Sequence, residues 1–285
     1  MTSHDRMRRR APFDIDRRFE ETLEILRHTV SLAAGSTVLT SYTTARGIAL
    51  SRRECHLPGF DQAVQIATRN GFPIAVRPTG GRAAVMSDYS LVFEIFVATG
   101  EDDPGAGPIF EVGSGLVRDV LTGIGVDASV GEIPGEFCPG AHSINARGKR
   151  KLVGTAQRGT RGARLFSALL LLGIDEHARD VLDQVNQALD LPWDRRTLGS
   201  IDDEVPGLSI AELREQLANA WEAIDVSRLR ELGGASNFSA GSNDLALRVR
   251  DHALAARRAD VDAGVQLSSR SSSHRSGLSR GRNSP

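Results

Sequence analysis

Cysteine is scarce in this 285-residue chain: there are two, Cys55 and Cys138. That scarcity argues against a disulfide framework and fits a reduced, cytoplasmic setting. Net charge is nearly absent as well, with 35 Lys and Arg against 36 Asp and Glu and a formal value of −1. A nucleic-acid partner usually goes with a basic excess, so none is expected. The longest apolar run is LFSALLLLGI at 165–174. It is about half of the twenty or so residues a membrane span needs, so no membrane partner is expected. The opening stretch, MTSHDRMRRRAPFD, is basic and lacks the apolar core of a signal peptide. No cysteine–histidine spacing suits a zinc site, and no metal-ligating set of side chains is expected. A Gly-x-Ser-x-Gly elbow, a P-loop and a dinucleotide-binding glycine fingerprint are all missing, and so is any internal repeat.

What is present is an ordinary globular composition, 40% hydrophobic and 25% charged, over a length that suits one large domain or two small ones. Residues 1–12 read as a disordered N-terminus. From Asp14 to about Ala34, Phe19, Leu23, Ile25, Leu26, Val30 and Leu32 recur at helical spacing, with Gly35 as the stop. TVLTSY (37–42) and GIALS (47–51) read as strands. PGFDQAVQIATRNGF (58–72) reads as a helix capped by Asp61. PIAVR (73–77) is a short strand broken by Gly80-Gly81. In SLVFEIFVA (90–98), Leu91, Phe93, Ile95 and Val97 alternate with more tolerant positions. IFEVGSGLVRDVLTGIG (109–125) is expected to be helical. The strands VDASV (126–130), HSINAR (142–147), LVGTAQ (152–157) and LFSALLLLG (165–173) follow. HARDVLDQVNQAL (177–189) and LSIAELREQLANAWEAI (208–224) close the pattern as helices, with Ser209 and Glu212 placed as a capping box. Beyond a domain at 13–235, residues 236–267 are expected as a helical extension. The Ser/Arg-rich residues 268–285 are expected to be disordered. Strands that follow one another by short turns argue for a mixed sheet covered by helices rather than an alternating parallel fold.

Three stretches could carry chemistry. In VRPTGGRAAV (76–85), bare amides at the glycine pair can approach an anion, with Arg77 and Arg82 beside them. A Gly-Gly taken alone is a turn more often than a site. In GKRKLVGTAQR (148–158), Lys149 and Arg150 read as solvated charges, whereas Lys151 directly precedes an apolar strand. A lysine there is a candidate for burial beside something negative, where it can stabilise charge. In GEFCPGAHS (135–143), Cys138 lies in a loop four residues before His142. A loop thiol near an imidazole could accept an acyl group, although a partly buried structural cysteine is the commoner case.

Together these segments resemble the lipoate–protein ligase and octanoyltransferase family, whose fold is shared with biotin protein ligases. The resemblance rests on Arg77-Pro78-Thr79-Gly80-Gly81, followed by Lys151-Leu152-Val153-Gly154-Thr155-Ala156-Gln157-Arg158, with ALSRRE (49–54) upstream. It spans roughly residues 15–230. It implies an α/β (α+β) fold with a mixed, largely antiparallel sheet flanked by helices. It implies an acyl ligase that activates lipoate or octanoate with ATP and Mg2+, then transfers the acyl group to a lysine. The acceptor would be a lipoyl domain, in a 2-oxo acid dehydrogenase acyltransferase subunit or glycine cleavage H protein. Lys151 would then be catalytic, contacting the acyl carboxyl and the adenylate phosphate. Arg77, Gly80, Gly81, Arg82, Ala83, Ala84 and Val85 would hold the nucleotide. Arg53, Val153, Gly154, Thr155 and Ala156 would meet the acyl chain. The sequence departs from the family's ligases where Arg82 replaces a third glycine, at Met86-Ser87-Asp88, and at His142-Ser143. The resemblance also admits two alternatives. One is an octanoyltransferase that takes octanoyl from a carrier, such as an acyl carrier protein, onto Cys138. The other is a non-catalytic relative that binds an acyl group or a lipoyl domain.

Overall fold

A computed structural model describes residues 14–99, 101 and 103–224. The expected N-terminal disorder, the 236–267 extension and the Ser/Arg tail lie outside the described residues. In chain order the elements are α1 (Asp14–Thr29), β1 (Thr37–Thr43), β2 (Gly47–Leu50), α2 (Phe60–Arg69), β3 (Ile74–Val76), β4 (Ala84–Met86) and β5 (Ser90–Ala98). Then come α3 (Ala106–Gly123), β6 (Ala128–Val130), β7 (Ile144–Ala146), β8 (Arg150–Thr160), β9 (Ala163–Leu171), α4 (Glu176–Ala188) and α5 (Ile210–Glu222). The main sheet runs β1-β5-β9-β8-β7-β6, with every neighbouring pair antiparallel. A three-stranded sheet, β3-β2-β4, contains the one parallel pair among the described strands, β2 with β3. Short turns favour antiparallel neighbours, and that is what the closely spaced strands of the second half form.

Side chains on a strand alternate between faces. On one face of the main sheet, Phe93, Ile95, Val153, Phe166, Ala168 and Leu170 pack with Leu116, Val117 and Leu121 of α3 and Leu213, Leu217 and Trp221 of α5. The other face is covered by α1 and the small sheet, where Ile15, Phe19, Tyr42, Ala49, Met86 and Val92 cluster. Both faces of β5 are therefore buried along all nine residues. The positions read as tolerant, Val92, Glu94 and Phe96, are as enclosed as their neighbours, and one of them is a carboxylate.

Several boundaries move. Helix α1 stops at Thr29, because the Ser31 and Leu32 N–H groups bond back to His28 and Thr29 in a tight turn. Its buried stripe is Ile15, Phe19, Thr22, Leu26 and Thr29, so two threonines stand where only apolar residues were expected, and Val30 is exposed. Gly35 does not cap the helix; its N–H joins Ala98 at the sheet edge. Asp61 does not cap α2, whose N-cap is Gly59. The Ser209–Glu212 capping box on α5 forms as expected. Among the described residues no helix is long and apolar enough to cross a membrane.

Candidate active site

A cavity of about 620 Å³, counting its open side, lies between the main sheet, the small sheet and α1. Phe19, Ala49, Met86, Val92, Phe137 and Leu169 supply apolar walls. Arg77, Pro78, Thr79, Gly80, Ala84 and Cys138 border it on the glycine-turn side. Gly154, Thr155, Ala156, Ser167 and Glu94 line the face contributed by the main sheet.

Cys138 is half-buried and holds a left-handed backbone, φ 46°. A non-glycine residue there is uncommon and needs surrounding support. Its Sγ accepts the Arg82 backbone N–H at 3.0 Å. Gly81, at φ 106°, passes so close that an added Cβ would sit 2.8 Å from that sulfur and 2.7 Å from Arg77 Nη2. The glycine pair thus forms a seat for the thiol.

Lys151 fixes the other side of that loop. It is 1% exposed, and its Nζ donates to Glu136 Oε1 at 2.9 Å, Phe137 O at 3.0 Å and Cys138 O at 2.7 Å. An ammonium has three N–H donors, so all are taken. The same Nζ lies 4.8 Å from the centre of the Phe137 ring. Glu136 in turn accepts from Ile133 N, Gly140 N and Ser143 Oγ, which gathers residues 133–143 around one carboxylate. Lys151 is indeed buried beside a negative group. Its ammonium is taken up by the 136–138 loop next to the cavity, between Phe137 and Cys138, which border it, and Gly154, whose added Cβ would lie 3.8 Å from Lys151 Cε.

Arg77 is similarly engaged. Its Nε donates to Gly80 O at 2.9 Å, Nη1 to Ala49 O at 2.6 Å and Nη2 to Arg82 O at 2.5 Å. Buried Glu54 clamps the far end of the turn, accepting Ala83 N at 2.6 Å and Ser51 N at 2.8 Å. Three of the five Arg77 N–H donors thus end on carbonyls of its own fold, and the glycine turn encloses a thiol. Among the described residues no group of three or more His, Cys, Asp or Glu is placed to hold a metal ion.

The remaining expected residues divide. Gly80, Ala84, Gly154, Thr155 and Ala156 border the cavity. Ala83 and Val85 are buried in the core below the small sheet, and the Arg82 side chain is exposed. Val153 points to the opposite face, because contiguous strand residues cannot all face one slot. Arg53 is exposed in a single turn before α2 and does not reach the cavity; its neighbour Glu54 is the residue that turns inward. The His142 ring stacks on Phe110 at 4.5 Å between centroids. Glu136 and Glu54 were not anticipated, and neither was Glu94. The one signal for Glu136 was its place beside the cysteine in a loop upstream of a lysine that needed a counter-ion.

Glu94 is 2% exposed. Thr40 Oγ1 donates to its Oε2 at 3.1 Å, and Ser167 Oγ lies 3.5 Å from Oε1. Thr22 Oγ1 is 3.2 and 3.1 Å from the two oxygens, but closer, at 2.9 Å, to Arg18 O. Burial raises the carboxyl to a pKa of about 7, against the lowering effect of these hydroxyls.

The family model for the lipoyl protein ligase A/B catalytic domain matches residues 38–222, more than half of the chain. The chain belongs to this family. Among curated proteins, an octanoyl-[GcvH]:protein N-octanoyltransferase of Geobacillus kaustophilus is 26% identical over 133 residues, 47% of either chain. The Bacillus velezensis protein of the same description is 31% identical over 126 residues, covering 43% of this chain and 42% of its own. A lipoyl-[GcvH]:protein N-lipoyltransferase of Listeria monocytogenes is 24% identical over 163 residues, 57% of either chain. The chain spans about half the length of the curated relatives it matches. Among solved structures, a lipoate–protein ligase A bound with ATP superposes with a TM-score of 0.56 at 24% identity, covering 82% of this chain and 87% of its own. A bi-partite lipoate protein ligase of Thermoplasma acidophilum gives 0.57 at 20% identity, covering 85% and 89%. These likenesses establish the fold, a mixed sheet flanked by helices.

Proposed function

We propose that this chain moves an aliphatic acyl group, octanoyl or lipoyl, from a carrier protein to a lysine of a lipoyl-domain protein through a thioester on Cys138. One observation carries the proposal: the Cys138 thiol lies in the glycine turn beside an apolar cavity, touched by the Arg82 N–H. Two further facts favour it over ATP-dependent activation. The Arg77 guanidinium is engaged by Gly80, Ala49 and Arg82 carbonyls, and the Lys151 ammonium by Glu136 and the loop carbonyls. The names of the curated relatives, which describe transfer from an acylated glycine cleavage H protein to a protein, support the same direction.

In the first step the sulfur attacks the acyl carbonyl, an S–acyl bond forms, the amide bond between the acyl carbon and the carrier's lysine nitrogen breaks, and that amine leaves with the proton given up by the thiol. In the second, the acceptor lysine amine attacks the thioester, an amide forms, and the thiol is restored. The loop fixed by Lys151 and Glu136 holds the sulfur over the cavity, while the walls bury the aliphatic chain at about 0.8 kcal/mol per methylene. Donor and acceptor would be the glycine cleavage H protein and the acyltransferase subunit of a 2-oxo acid dehydrogenase.

The test supplies an octanoylated carrier and a lipoyl-domain acceptor and weighs all three proteins. An acyl adduct on the enzyme and then on the acceptor, formed without ATP and lost in Cys138→Ser, is expected. Acceptor modification that requires ATP and survives Cys138→Ser would establish the ligase route instead. No adduct on a folded protein would leave a binding role.

A further inference from the structure

Glu94 takes no part in thioester chemistry, yet it lines the same cavity as Cys138. It sits on β5, two strands from Ala156 on β8 and separated from it by Ser167 on β9. That is about 10 Å across the sheet, so the carboxyl lies well away from the β8 edge of the slot. Around it the walls are hydrocarbon: Phe19, Met86, Val92 and Leu169. We propose that Glu94, with Ser167, recognises a hydrogen-bonding group at the far end of the acyl chain. The site then prefers a chain ending in a hydroxyl to a plain alkyl chain of the same length. This rests on the acyl-binding reading of the cavity given above.

The hydroxyls behind the carboxyl explain its posture. Thr40 holds one oxygen from β1. Thr22 on α1 has a single proton, and Arg18 O is its nearest acceptor, so a protonated Glu94 can donate to Thr22 rather than receive from it. The contact with Ser167, at 3.5 Å, is the loosest of the set, and that hydroxyl also borders the cavity. A methyl end pressed against this pair leaves polar groups facing hydrocarbon, which is unfavourable. Sites built with buried hydrogen-bonding groups reject an analogue that lacks the partner far more strongly than apolar pockets discriminate by a methylene.

The experiment uses the full chain carrying Cys138→Ser, so that nothing turns over, with octanoate, 8-hydroxyoctanoate and lipoate as calorimetric probes. 8-Hydroxyoctanoate should bind about tenfold more tightly than octanoate. Lipoate, whose sulfurs accept hydrogen bonds only weakly, is the control for added bulk at the chain end. Glu94→Leu should abolish or reverse the preference, while the overall affinity for octanoate holds or rises. If Glu94→Leu does not fold, Glu94→Met, of similar length and without a polar head, replaces it. Equal affinity for octanoate and 8-hydroxyoctanoate, or a preference unchanged by the substitution, overturns the inference. In parallel, the three acyl groups are presented as small thioesters to the chain with Cys138 intact. Failure of all three to acylate it sinks the transferase reading alone, because the binding preference is measured without it.

Discussion

Lys151 and Glu94 are both ionisable and both nearly fully buried, at 1% and 2% exposure, and the fold meets the same desolvation problem in two ways. Lys151 lies 2.9 Å from Glu136 and donates to two carbonyls. Glu94 has hydroxyls for company and no basic partner among the described residues, and its pKa moves to about 7. A buried charge must be paired or given up. The pair makes a rigid support, because neither member can move without stranding the other. The lone carboxyl makes an adaptable surface, able to donate or accept. The first kind of site suits the fixing of a nucleophile, the second the recognition of a ligand.

Four substitutions would break or sharpen that contrast, from the largest effect to the smallest. Cys138→Ser, in the rigid region, should lower transfer by about a thousandfold or more, read as loss of the acyl adduct by mass spectrometry. Lys151→Ala should cost about 3–5 kcal/mol of stability in denaturant unfolding, because it leaves the Glu136 carboxylate buried and unpaired. Lys151→Met with Glu136→Gln should recover part of that loss; a single Lys151→Ala variant as stable as wild type would show that the lysine serves chemistry and not the loop.

Glu94 supplies the opposite sign. Its folded pKa, about 7, lies above the ordinary 4.5, so the native state holds this proton more tightly than the unfolded chain does. The corresponding stability is complete below about pH 4.5 and is lost as pH rises through 7, on the order of 3 kcal/mol. Glu94→Gln should remove that slope from unfolding curves measured between pH 4.5 and 8. Tyr42, facing the same cluster from β1, stays neutral over the whole range, since burial first and the Glu94 charge second push its pKa well up. Arg18 lies over the Tyr42 ring at 5.7 Å. Finally, Gly81→Ala should cost about 1–3 kcal/mol and misplace the thiol, since φ 106° and the 2.8 Å approach to Sγ both oppose a methyl group. Intact transfer in that variant would separate the glycine turn from the nucleophile.

Much of this molecule was legible beforehand. Most of the element order, the run of strands after α3 and the capping box at Ser209 follow from periodicity and turn chemistry, but β4 was not anticipated. The site was only half legible. Arg77, Gly80-Gly81, Cys138 and the lysine strand were all marked, and only the family resemblance joined them, with the glycine turn assigned to a nucleotide and Lys151 to the acyl carboxyl. Nothing local says that the arginine's donors end on Ala49, Gly80 and Arg82, or that the glycine turn encloses the sulfur. Arg53 drew attention as a charged residue in a suggestive turn, and the buried neighbour Glu54 did not. Glu94 was hidden because an alternating strand normally offers one face to solvent, and β5 offers none.

The sequence by itself determined the local decisions: where strands and helices form, which positions need glycine, and that one lysine would be carried inside with an apolar strand. Those depend on near neighbours in the chain. The tertiary structure decided which charges meet. Residues 136 and 151, 81 and 138, and 22, 40, 94 and 167 come together only when the sheets and α1 close on one another. At that point the loss of water forces each polar group to find a partner or give up its charge. That requirement is what pairs the lysine with Glu136, closes the glycine turn on the thiol, and raises the pKa of the solitary carboxyl.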